Sequence, residues 1–288
     1  MKNGFSIFIA AVLLLGISWC AFVLAPVIQL GDEKQTVMIN STDIYPVQRT
    51  GAATLGLQVY RANGCAACHT EQIQQNGMAC DLIVTSLGKN SSALQKVLAG
   101  SLSDSFLTTN DLPKTIRHGI SMEIASSMSD KITAAGGKAE VHVYATGADI
   151  ERGWGLRRSV AEDFLWDSPV QLGANRIGPD LADVGARLGD LNWQLQHLYA
   201  PQMFVKGSVM PPFRYLFVKQ KKGAVPSADA LQIPPGWPKD LQPPGGYEIV
   251  PTEDAKNLAA YLLSLRAEVP LHDAPYTPAV AAPTEKSK

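Results

Sequence analysis

Two of the four cysteines in this 288-residue chain stand three apart and are followed at once by histidine, in Cys65-Ala66-Ala67-Cys68-His69. The spacing puts both thiols on one turn, where each can add to a vinyl group of a single porphyrin while the adjacent imidazole reaches the iron from beneath. C-x-x-C-H is the signature of covalent c-type haem attachment. A thioredoxin-like thiol pair and a zinc site use the same Cys-x-x-Cys spacing, but neither needs the histidine. Zinc also requires two further ligands, for which only Cys80 and scattered histidines are on offer. A fold built on this turn has to wrap a planar group and bring a second ligand to its far face.

The N-terminus constrains the chain differently. Phe5 to Leu30 is a run of 26 residues without a charged side chain, enough at helical rise to cross a hydrocarbon core of about 30 Å with some tilt. A cleaved signal peptide would have a shorter apolar region and a small-x-small cleavage site, so a retained anchor spanning 5–30 is expected. Trp19 fills the position that a lipoprotein cleavage box at Cys20 would need small. Lys2 places the N-terminus on the cytoplasmic side and the rest of the chain outside, where haem attachment of this kind is completed. Charged residues make up only 18% of the chain, below the roughly 25% of soluble domains, in keeping with an uncharged anchor. The net charge of -1 leaves no cation excess to displace counterions from phosphates, which argues against nucleic acid as a partner.

Methionine as the second iron ligand favours ferrous iron and raises the potential. Met78 is only nine residues past His69, too near to return over the opposite face. Met122 and Met128 belong to an amphipathic helix and read as core packing. Met210 lies in Ser208-Val209-Met210-Pro211-Pro212-Phe213, where two prolines stiffen the loop, and is preferred to Met203. His197, His118 and His142 are rivals in principle, although His142 alternates with Val141 and Val143 on a strand and should face solvent. Arg157, Arg158, Arg187 and Trp193 are candidates for the haem propionates, because arginine forks match carboxylates.

His69 and Met210 are 141 residues apart, more than a small cytochrome needs. The pattern changes between Asp81 and Val143. A strand at Leu82–Thr85 precedes helices at Ser91–Leu98 and Asp104–Thr109 and a strand at Lys114–Ile116. A long helix then starts at Ser121 and carries Ile124, Met128 and Ile132 every four residues to Gly136-Gly137, before a strand at Ala139–Val143. Removing these 63 residues leaves a loop of 78. After position 200 come 14 of the 19 prolines; Ile233–Pro251 reads as extended loop. Thr252–Arg266 reads as a capped helix with Leu258, Tyr261, Leu262 and Leu265 on one face, the partner for the helix-compatible segment carrying Gly56, Val59 and Tyr60. The tail 268–288 is expected to be disordered.

Three resemblances follow from these motifs. Ile177-Gly178-Pro179-Asp180-Leu181 resembles the Gly-Pro-x-Leu segment of small cytochromes c, which implies that the Pro179 carbonyl accepts the ring N–H of His69. The 81–143 segment, through Lys114–Ser121 and Ala134–Val141, resembles the C-terminal domain of the bacterial ribosomal stalk protein. It implies that fold and a protein-contact role, without the lysine-rich surface of that family. The remainder resembles the membrane-anchored monohaem cytochrome c subunit of cbb-type haem-copper oxidases. That match runs through Gln58–His69, Arg176–Gly185, His197-Leu198-Tyr199-Ala200-Pro201 and Met210-Pro211-Pro212-Phe213.

The last resemblance implies a mainly α chain, with a transmembrane helix and a class I cytochrome c fold over 50–80 and 144–267; the small α/β (βααβαβ) domain at 81–143 that interrupts it departs from the usual pattern of that family. It implies one covalent haem c, held by Cys65 and Cys68 and ligated by His69 and Met210. Electrons would pass to the catalytic oxygen-reducing subunit of an inner-membrane complex with other cytochrome c subunits, the haem on the periplasmic side. The anchored subunit of a nitric oxide reductase, or a haem-based gas sensor with the insert as transmitter, are the alternatives.

Overall fold

The computed structural model describes residues 3–31, 34–39, 41–88, 91–98, 108–268 and 271. Lys2, residues 104–107 of the expected second helix of the insert, and nearly all of the expected tail lie outside them. The described residues mix helix and sheet and divide into two compact units, one of 1–72 with 159–271 and one centred on 73–158.

The first unit begins with a helix at Gly4–Trp19, a π-helical turn at Cys20–Leu24 and a helix at Ala25–Leu30. Pro26 has no N–H and its ring clashes with the carbonyl four residues earlier, and the π turn just before it absorbs that mismatch. Gly4–Gln29 has a mean hydropathy of 2.7 and none of it is buried within the chain. Length and composition suit it to a bilayer.

The core of this unit is the crossing of the Gly51–Ala62 and Glu253–Ser264 helices, the pair expected from the sequence. Both start on threonine caps: the Thr50 hydroxyl accepts from the Ala53 N–H at 3.2 Å and that of Thr252 from the Ala255 N–H at 3.3 Å. The close approach requires glycine at Gly56, since a Cβ there would lie 1.9 Å from the Asn257 carbonyl oxygen. One turn on, the Tyr60 and Tyr261 rings pack at 5.2 Å. The Leu191–Tyr199 helix, capped by Asp190, adds Leu195 and Leu198 to the same core. The proline-rich stretch is less open than expected: its last five residues, Tyr247–Pro251, pair antiparallel with Phe217–Lys221. Only Pro251, at the strand end, falls inside the ladder, where its missing N–H is tolerated.

The second unit is a three-stranded antiparallel sheet in which Gly77–Ser86 lies between Lys114–Ile120 and Lys138–Thr146. Leu82, Val84, Leu87, Leu94, Ile116 and Ile132 form its core, with the Ser91–Leu98 and Met122–Ala134 helices contributing Leu94 and Ile132. The strands run further than 81–143, and the unit reaches 73–158, because backbone pairing continues from Ser86 with Lys138 to Gly77 with Thr146 beyond the apolar alternation that marks it in sequence. The described residues resume with a 3-10 turn at Thr109–Asp111. Ile124 is corrected too: it is 51% exposed while Ala125 is fully buried. At about 100° per residue, Ala125 falls within about 20° of Ile132 and Ile124 about 80° away. His142 is exposed, as expected, with Nε2 3.8 Å from Glu140. Cys80 is free and buried.

Candidate haem site

The Gly51–Ala62 helix ends where Asn63 folds back, its amide donating to the Val59 carbonyl at 2.7 Å, and Gly64 turns the chain at φ 66°. The next residues, Cys65–Ala67, are a 3-10 turn closed by N–H bonds from Cys68 and His69 to the Cys65 carbonyl at 3.1 and 3.0 Å. Both thiols therefore sit on one turn, and burial pushes the Cys65 thiol up to about 11.

A second segment, 173–181, is laid along this turn by main-chain bonds. Ala174 N–H donates to the Ala66 carbonyl at 2.8 Å, Gly178 N–H to that of Cys68 at 2.9 Å, and Leu181 N–H to that of Thr70 at 2.8 Å. Two glycines permit it. A Cβ on Gly178 would be 2.2 Å from His69 Cε1, and Gly173, at φ 84°, would meet the His69 carbonyl oxygen at 2.2 Å. His69 Nδ1 lies 2.8 Å from the Pro179 carbonyl oxygen. A carbonyl can only accept, so Nδ1 carries the proton and Nε2 keeps a free lone pair. Burial lowers the affinity of the ring for a second proton, against the raising effect of Pro179 and Asp180.

Asp180 fastens the segment and was not singled out by sequence reasoning. Fully buried, it accepts from the Thr70 hydroxyl at 2.6 Å and the Gln72 N–H at 2.8 Å through Oδ2, and from the Ala182 N–H at 2.9 Å through Oδ1. Its carbonyl takes Arg187 Nη2 at 2.8 Å. The one signal in the sequence was its place in the Gly-Pro-Asp-Leu segment.

On the other side, Gln202 donates to the Met210 carbonyl at 2.8 Å and Met210 N–H to the Ser208 hydroxyl at 3.2 Å. Met210 and Met203 both pack on the apolar cluster that also receives Cys65 and Ala66; Met78, Met122 and Met128 belong to the other unit. The Trp193 ring stacks on His197 at 4.8 Å, and Phe204 meets Trp193 edge-on at 5.1 Å. Burial, aided by nearby His69, pulls His197 down to about 4, and its buried Nδ1 has no hydrogen-bond partner among the described residues. His197 is thus the rival imidazole that the fold brings to the cysteine turn, whereas His118 and His142 lie in the second unit. Arg187 is half-buried, its Nε without a hydrogen-bond partner among the described residues. Arg158 is exposed in the second unit, its N–H on Gln75 at 3.2 Å.

Behind the turn, Tyr261 donates to the buried Glu71 carboxyl, whose oxygens lie 2.9 and 2.8 Å from the hydroxyl. Burial, ahead of these neighbours, pushes Glu71 up to about 8. Arg49 lies 5.1 Å over the Tyr261 ring and pairs with Asp167. A cavity of about 200 Å³ adjoins them, lined in part by Arg49, Glu71, Asp163, Trp166 and Arg266.

The donor set fits a haem: two thiols on one turn, an imidazole nitrogen left free by its partner's carbonyl, and thioethers and an unpartnered buried imidazole nitrogen around the same aromatic and apolar cluster. No curated protein matches the chain. Residues 146–232 match the family model described as cytochrome c oxidase, mono-heme subunit/FixO, which takes in the 173–181 segment, the Leu191–Tyr199 helix and the Met210 loop. Through that stretch the chain carries the pattern of the mono-haem subunits of cytochrome c oxidase, the family its sequence resembles.

Proposed function

We propose that this chain is the electron-relay subunit of a membrane terminal oxidase, holding one haem c by thioethers to Cys65 and Cys68 with His69 and Met210 on its iron. The observation that carries this reading is the free Nε2 of His69, defined by the bond from Nδ1 to Pro179. Bound haem would supply a one-electron couple. The protein supplies its setting: the Pro179 carbonyl makes the imidazole a stronger donor, Gly178 lets the loop lie against the ring, and the proline-stiffened loop holds the Met210 thioether. Held by His69 and Met210, the group would exchange single electrons with the oxygen-reducing subunit and leave the chain without oxygen chemistry of its own. Arg187 and Trp193 are assigned to the propionates, Arg187 through an Nε that has no partner among the described residues.

In this reading residues 5–30 anchor the chain in the bacterial inner membrane, with the haem on the periplasmic side and lipid around the anchor. Beyond the anchor, the unit of 1–72 with 159–271 carries a class I cytochrome c fold. The inserted unit, with the stalk-protein likeness noted above, is a protein-contact module within a complex that holds the catalytic subunit and other cytochrome c subunits.

The test is Met210→Ala in the full chain. Haem should remain attached after denaturation while the sulfur-to-iron charge-transfer band disappears; retention of the band would assign the ligand to Met203. The reduced wild-type protein should not bind carbon monoxide rapidly, and rapid binding would point to a gas sensor.

A further inference from the structure

The two outer strands of the 73–158 sheet end it differently. Lys114–Ile120 pairs irregularly with the central strand: its register shifts between Cys80 and Leu82 and again between Leu82 and Ile83, Gly119 turns at φ 66°, and Lys114, Arg117 and His118 stand along it. Bulges and cations keep a sheet edge from recruiting another strand. Lys138–Thr146 lacks that guard along most of its length. It runs nine residues without proline or glycine, its one lysine stands at the end, and its register is unbroken from Ala139 opposite Val84 to Thr146 opposite Gly77. Among the described residues no strand pairs with its outer side, where alternate residues turn their main-chain N–H and C=O groups outward.

The strand is also complementary to itself. Laid antiparallel on a second copy over its full length, with His142 at the centre, it sets Val141 opposite Val143 and Ala139 opposite Ala145 on the helix-covered side. On the open side Glu140 comes opposite Tyr144 and Lys138 opposite Thr146. Apolar meets apolar, no carboxylate faces a carboxylate and no lysine a lysine. Val141 and Val143 are half-buried and Tyr144 is 41% exposed, so the pairing would cover surface now in water. The Met122–Ala134 helix lies over this strand and its inner neighbour. With strands about 4.8 Å apart, it would come about 10 Å from its mate, the spacing at which helices pack. That helix carries Ile124, 51% exposed.

We infer that the Lys138–Thr146 edge pairs with the same edge of a second copy of this chain, joining two three-stranded sheets into one of six about a two-fold axis at His142. The inference rests on the protein-contact reading of this unit and names the contact.

Two measurements on the full haem-loaded chain test it. In a Cys20→Ser background, with Cys80 buried, His142→Cys should give a disulfide-linked dimer on non-reducing gels. Residues directly opposite in an antiparallel pair have Cα atoms about 4.5–5.5 Å apart, within the reach of a disulfide. His118→Cys, on the guarded edge, should stay monomeric; equal crosslinking of the two variants would overturn the inference. A His142→Cys chain joined only to a different subunit would keep the protein-contact reading and overturn this one.

In sedimentation velocity, Val143→Lys should weaken dimerisation roughly tenfold or more by placing an ammonium in the paired edge, with the circular dichroism and haem spectra unchanged. A wild type that is monomeric at every concentration would overturn the inference, as would a dimer that Val143→Lys leaves intact.

Discussion

In the apolar cluster of the 73–158 unit the fully buried side chains are Leu82, Val84, Leu94 and Ile132, all placed by sheet or helix periodicity, and the buried Asp149 lies outside that cluster. Around Cys65–His69 the buried groups include Asp180, Thr70 and Glu71, each satisfied by a named partner from elsewhere in the chain. One region is held by burial, which is tolerant of exchange among similar side chains. The other is held by hydrogen bonds and close contacts, which are not: a buried donor left unmatched loses its full solvation.

That difference can be broken from the polar side first. Asp180→Ala strands the Thr70 hydroxyl and the Gln72 and Ala182 N–H groups, and should lower the stability of the first unit by about 5 kcal/mol, read from the urea midpoint. A loss below about 1 kcal/mol would show that water replaces the carboxylate. Next is Gly178→Ala, where the added Cβ must displace the His69 ring or the loop. About 3 kcal/mol is expected, together with a lower yield of covalent haem on denaturing gels.

Ile132→Val, in the apolar region, should cost about 1 kcal/mol and leave the haem spectrum unchanged; a shifted spectrum would mean that the units are energetically coupled. The smallest effect belongs to Asp81→Asn. Slight burial opposes ionisation of Asp81, but the Gly119 N–H and His118 outweigh it and hold the carboxyl below its ordinary 3.8. A depressed carboxyl stabilises the fold above its unfolded value, and that contribution is lost as pH falls through the folded one. The variant and wild type should therefore differ near neutral pH and converge in acid unfolding curves below the ordinary carboxylate range.

The same contrast explains what could be read from the sequence. The uncharged run, the cysteine turn and the crossing helices are written in local spacing, and so were the helix and strands around Ile132. Strand ends were not, because Gly77 pairs with Thr146 through backbone atoms that carry no side-chain signal. Pro179 was reached by resemblance, but Asp180 and Gly178 matter for what they meet, Thr70 and His69, and a contact across more than a hundred residues leaves no periodicity. Ile124 misled because a spacing of four drifts off the helix face over two turns.

The bond from His69 to Pro179 spans 110 residues. At roughly 5–20 residues per second, synthesis delivers the closing segment several seconds after the imidazole it orients, with the whole 73–158 stretch of chain made in between. The cysteine turn, by contrast, closes on bonds no more than four residues long. The thiols are therefore presented on a locally formed loop while the clamp behind them is still missing. Until the later segment arrives, the turn lacks the Pro179 carbonyl and the Asp180 carboxyl that hold His69 and Thr70.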